Sequence, residues 1–139
     1  MDDSRTNAAL SPDVVIRSGG WDPRYARVLL IEEDDGQALI LVDGNGDGAE
    51  LELEYWQCHA GGWHPGTSSG HGPLDSLASV NTWNAGELVC ALGRGSPGSN
   101  VRIAYGGRTY SRQANDFGVW GFVHEADSPH AGEMPAVGR

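Results

Sequence analysis

The chain has 139 residues, 39% hydrophobic and 20% charged, with five tryptophans, which is enough apolar material for one core and too little length for two comfortable ones. Nine basic residues, all arginine, against nineteen acidic ones leave a formal net charge of −10, which excludes a basic nucleic-acid groove and adhesion to anionic lipid. The 21 glycines follow no fixed period, so they exclude collagen and point to many tight turns.

In chain order, residues 1–12 read as a disordered arm: they are acidic and polar, without the apolar run of a secretory signal. No later run approaches bilayer-spanning length, so cytoplasm is the expected compartment, or secretion if the sequence is truncated. A single domain is expected over residues 13–124. Val14-Val15-Ile16 reads as a first short strand, broken by Gly19-Gly20. After the turn chemistry of Asp22-Pro23, the run Val28-Leu29-Leu30-Ile31 and the run Ala38 to Val42 flank Asp34-Asp35-Gly36 and predict a hairpin at the centre of a sheet. Beyond a loop over 43–48, Leu51, Leu53 and Tyr55 alternate with Glu50, Glu52 and Glu54, which predicts a strand with one face on the core and one in water.

Residues 58–73, rich in glycine, serine and histidine, read as a long loop, and loops of that length are functional or disordered. Leu74 to Val80 fits a strand or a short helical turn, residues 81–86 read as a connector carrying Trp83, and Leu88 to Leu92 is a strand closed by the breaker Gly93 to Ser99. Val101, Ile103 and Tyr105 alternate up to Gly106-Gly107, and counting back from that two-residue turn pairs Ile103 with Tyr110. Phe117 to His124 is apolar on both faces, as in a central strand or an interface strand. Residues 125–139 read as a mobile tail. About eight or nine short strands with no helix predict an all-β, antiparallel β-sandwich of immunoglobulin-like or jelly-roll-like type.

Two stretches carry metal-ligand chemistry. Asp43, Asn45 and Asp47, with glycines between them and Glu54 at the twelfth position, match the letters of an EF-hand calcium loop. The flanking strands contradict that context, which leaves three oxygen donors at a hairpin tip for a hard cation such as calcium, against a plain solvated turn. Cys58, His59, His64 and His71 supply the borderline ligands zinc prefers, at a spacing that fits no standard pair, against solvated histidines and a buried thiol. Cys58 and Cys90 either form a bridge or, as expected in a cytosolic protein, stay reduced. Gly66 to Gly70 spells the nucleophile elbow of a hydrolase beside His71, but it lacks the preceding strand and following helix. The glycines over 93–98 lack the lysine and helix of a phosphate cradle.

Tyr55-Trp56, Gly61-Gly62-Trp63, the string Ser68 to Leu74, the Tyr105-Gly106-Gly107-Arg108 hairpin and Trp120-Gly121-Phe122-Val123 together resemble small uncharacterised β-rich proteins of high-GC Gram-positive bacteria, over residues 25–125. The arginine-only basic set fits that source. The resemblance implies a sandwich and carries no catalytic residues. The functional expectation is therefore a non-catalytic module that binds another protein, neither nucleic acid nor membrane, through its long loop and an aromatic surface of Trp63, Trp83, Trp120 and Phe122. The rivals are a calcium- or zinc-binding β domain and a secreted carbohydrate-binding or cell-surface module.

Overall fold

Helix signals at both ends of residues 12–19 outweigh the β-branched triplet between them. In the computed structural model, which describes residues 9–126 and 132–138, Pro12–Gly19 is an α-helix (α1) and not the expected strand. Ser11 Oγ accepts the Val14 amide at 3.3 Å, Pro12 opens the first turn where its missing N–H costs nothing, and Asp13 faces the positive end. Gly20 then ends the helix in the left-handed region at φ 78°. Leu10, which is buried, and Ser11 and Pro12, which open α1, are not part of the expected disordered arm; residues 1–8 lie outside the described residues.

The described residues form ten strands in three antiparallel sheets with this one short helix, and no sheet closes into a barrel. The chain divides into two compact units, residues 1–76 and 77–139.

The first unit holds a four-stranded meander: β1 (Arg27–Asp34), β2 (Gln37–Asp43), β3 (Leu51–His59) and β4 (Gly62–Gly72), paired in that order. The β1–β2 hairpin turns at Asp35 and Gly36, both at positive φ (47° and 79°), the twist that matches paired strands. Ala38 to Val42 are fully buried on both faces, as their unbroken apolar run predicts. Ala38, Ile40 and Val42 join Trp56, Val15, Leu10 and Ala26 in a cluster beneath α1. Leu29, Leu39, Leu41, Leu51 and Leu53 are buried as well. The face that carries Glu52 and Glu54 is therefore not the expected solvent face: α1 and Trp56 occupy it, and Glu54 is buried.

The second unit holds two three-stranded sheets. β5 (Val80–Ala85), β6 (Leu88–Arg94) and β9 (Val119–Glu125) form one with β6 central, and β7 (Asn100–Tyr105), β8 (Arg108–Gln113) and β10 (Ala136–Gly138) form the other with β7 central. The turn at Gly106-Gly107 sets Ile103 opposite Tyr110, as counted from sequence. Val89, Ala91, Val101, Ile103, Tyr105, Ala114, Trp120 and Phe122 make the core. Trp120 lies so close over Gly93 that a Cβ there would collide with the indole and with the Ser79 carbonyl.

Three expectations change here. Residues 81–85, read as part of a connector, pair with β6, and of the stretch read as strand or short helical turn Leu74–Ser76 is a 3₁₀ turn and Val80 begins β5. Part of the expected mobile tail is ordered, because Ala136 to Gly138 hydrogen-bond beside β7; residues 127–131 and 139 lie outside the described residues. β9 is an end strand in its sheet and its two apolar faces are both buried, while Phe117, expected on one of them, is exposed in the preceding turn.

Candidate functional site

The stretch read as a long loop, residues 58–73, is the end of β3 and an eleven-residue strand, β4. Backbone pairing overrides its glycine- and serine-rich composition. Cys58 pairs with Trp63 and His59 with Gly62 across a two-residue turn of Ala60 and Gly61, both at positive φ (53° and 81°). Register irregularities between Glu54 and Trp56 and between Leu51 and Glu52 absorb the extra residues on β4. Gly66 is needed at the first of these, since a Cβ would stand 2.8 Å from the Tyr55 carbonyl oxygen.

β4 is an edge strand, paired with β3 alone. His64 to Gly70 are exposed over seven consecutive residues. It carries no Asp, Glu or Arg along its whole length, and its side chains over 66–70 are a hydroxyl, two further hydroxyls and two glycines. The other edge of the same sheet, β1, carries Glu32, Glu33 and Asp34, the charged side chains that usually protect an edge from pairing. Among the described residues, Pro65 and the bulges are the edge-protecting features of β4.

The expected zinc ligands are not gathered. His59 and His64 stack at the hairpin end with ring centroids 4.1 Å apart, and His64 Nε2 is 3.2 Å from the His59 carbonyl oxygen. Cys58 falls on the opposite face of the strand from His59 by alternation, and His71 lies at the other end of β4, about 20 Å from His64 at about 3.3 Å of rise per residue. The calcium reading meets a similar obstacle. Asp43 is fully buried, its Oδ1 accepts the Gly46 amide (3.0 Å), and its Oδ2 accepts the Gly48 amide (2.8 Å) and the Arg27 guanidinium (3.0 Å). Its lone pairs are spent holding the 43–48 turn to β1. Asp47 closes a local turn by accepting the Ala49 amide, and Asn45 is exposed. Among the described residues no three His, Cys, Asp or Glu side chains stand close enough to hold one metal ion.

Both cysteines are free thiols: Cys58 is exposed, and Cys90 sits in the middle of β6, where burial pushes its thiol up to about 12. Ser68 and Ser69 lie on a regular strand instead of a strand-to-helix elbow. Of the proposed aromatic surface, Trp120 and Phe122 are core residues and offer no surface, while Trp63 packs partly under α1 and Trp83 is half-buried on β5. Large apolar side chains at the surface are instead Tyr25, Val80, Phe117 and Met134.

Sequence reasoning placed Glu54 on a solvent face and at the twelfth position of a calcium-loop string, and missed its actual role. Its Oε1 accepts the Trp56 indole N–H at 2.8 Å and its Oε2 accepts the Trp21 indole N–H at 3.2 Å. The Trp21 ring is held between Gly19 and Gly44, where added Cβ atoms would come within 3.0 Å and 2.8 Å of it. The carboxylate thus ties the end of α1 and the 43–48 turn to the middle of β3, just behind β4. The sequence signal was confined to Glu54 and Trp56, two residues apart on one face of an alternating strand; nothing in it pointed to Trp21.

Charge is unevenly distributed between the units. Residues 1–76 hold fourteen Asp and Glu against four Arg, a balance of −10, and residues 77–139 hold five against five. The whole net charge of the chain lies on the unit that presents β4. No helix among the described residues is long and apolar enough to cross a membrane. Comparison of the chain with protein-family models, with curated proteins and with solved structures gives no match.

Proposed function

We propose that this chain is a non-catalytic interaction module that takes up an extended segment of another protein along the free edge of β4. The observation that carries the reading is the seven-residue exposed run of β4, made of glycine and hydroxyl side chains from Gly66 to Gly70, in a sheet whose opposite edge is lined with carboxylates. Strand addition draws its affinity from main-chain hydrogen bonds and its selectivity from alternate side chains, so a flat edge without bulky or charged side chains is what it requires. Glycine and hydroxyl side chains let a partner backbone approach to the normal spacing of about 4.8 Å. The carboxylates that attract attention as catalytic groups, Asp43 and Glu54, are committed to internal hydrogen bonds, which supports binding over chemistry.

The test is selection of extended peptides from a random display library on the immobilised full chain, with Ser69→Pro as the counter-target. Proline removes a donor and blocks pairing at an edge. Enriched peptides should bind the native chain, lose binding to Ser69→Pro, and protect β4 amides from hydrogen exchange. Enriched peptides that bind both proteins equally, or that protect other strands, refute the reading.

A further inference from the structure

We infer that the segment β4 accepts is basic, an extended stretch with Arg or Lys at alternate positions; this rests on the strand-addition reading and adds the partner's chemistry to it. The first ground is the segregation of charge, with the entire excess of ten carboxylates in residues 1–76. The second is where some of those carboxylates sit relative to the edge. Glu52 of β3, half-buried on the face that α1 and Trp56 cover further along the strand, is paired with Gly70 of β4, so no β4 side chain stands between Glu52 and a strand added beyond it. Glu50 precedes it at the start of β3 and is exposed. The Leu74 amide donates to the Gly48 carbonyl at 2.9 Å, which holds the Asp47 turn against the chain just past the end of β4, and Asp75 follows in the 3₁₀ turn.

An added strand would lie two strand spacings from β3, about 10 Å, a gap that an extended arginine side chain largely crosses. That distance is also about one Debye length at physiological salt, so the attraction is screened only in part. A second copy of this chain is the wrong occupant, because pairing β4 with β4 brings two strongly anionic units together. An acidic segment is disfavoured for the same reason. A basic one gains association rate and register from the Glu50–Glu52 end while its backbone pairs with the uncharged run.

The experiment uses the full chain and three fluorescein-labelled peptides of about nine residues, long enough to cover the exposed run. All share one Thr/Val frame with Arg, Gln or Glu at alternate positions, and anisotropy is read at about 0.05 M and 0.5 M salt. The Arg peptide should bind about tenfold or more tighter than the Gln peptide at low salt, with the margin shrinking at high salt, and the Glu peptide should bind weakest. Glu50→Gln with Glu52→Gln should weaken the Arg peptide several-fold and leave the Gln peptide unchanged, whereas Ser69→Pro should abolish both. Equal binding of the Arg and Gln peptides overturns the basic partner and leaves strand addition standing. Failure of all three peptides overturns both. Arg binding that survives Ser69→Pro is diffuse attraction to an acidic surface and also overturns the inference, as does a dimer formed through β4 in sedimentation.

Discussion

Replacing Glu54 with leucine keeps roughly the side chain's volume and removes the acceptor of two indole N–H groups. Hydrogen bonds to a charged partner contribute about 1.5–3 kcal/mol each, and a buried donor left unsatisfied costs about 1–3 kcal/mol. Trp56 is fully buried, so its N–H has no alternative, while Trp21 is half-buried and finds water. Sparing the desolvation of the carboxylate returns part of the loss, so the net destabilisation is about 2–4 kcal/mol. With a urea m-value of about 2 kcal/mol/M, the midpoint of the first unit falls by about 1–2 M. The assay is urea unfolding by far-UV circular dichroism for Glu54→Leu, Trp21→Phe and the pair. Trp21 and Glu54 share a bond, so the double variant should lose about 1–2 kcal/mol less than the two single losses added. Additivity within about 0.5 kcal/mol would mean that Trp21 docks by packing alone and that the carboxylate does not tie α1 to the sheet.

Four other outcomes follow from three particular positions. Ala60 holds a left-handed φ of 53° in the β3–β4 turn, a conformation that costs alanine about 1 kcal/mol and that asparagine tolerates through local side-chain hydrogen bonding, so Ala60→Asn should raise the melting temperature by about 2–4 °C; a drop would refute the turn geometry. Cys90, raised to about 12 by burial, should resist alkylation at pH 8 while Cys58 reacts, giving one modified thiol natively and two in denaturant; two fast thiols in the native protein would refute the buried position. Because the folded chain keeps the Cys90 proton longer than the unfolded chain does, this contribution is intact below an unfolded value of 9.0 and is lost as pH rises toward about 12; Cys90→Ala should flatten that part of the stability–pH curve. Gly93→Ala should destabilise by about 1–3 kcal/mol or more, since its methyl meets both the Ser79 carbonyl and the Trp120 ring, and a neutral result would show that Trp120 does not lie over the strand.

The sequence by itself determined what short-range geometry enforces. Asp35-Gly36 and Gly106-Gly107 are turns because their residues tolerate positive φ, and once those turns are placed the register of β1 with β2 from Asp34 back to Leu30, before a bulge shifts it, and that of Ile103 with Tyr110 follow by counting. Ala38 to Val42 reads as a strand buried on both faces because its apolar run is unbroken, and it is so buried. The cap residues of α1, Ser11, Pro12 and Gly20, are equally legible, and the β-branched triplet Val14 to Ile16 between them signals a strand. Only tertiary structure decided that Gly62–Gly72 is a strand, because its backbone is held by β3 and its composition carries no pattern of its own. The same holds for Glu54, whose place in an alternating strand signals solvent until α1 and Trp21 fold over it. Trp120 and Phe122 become core for a reason no window of sequence contains: burial is set by what packs against a strand, and the residues that pack there come from elsewhere in the chain.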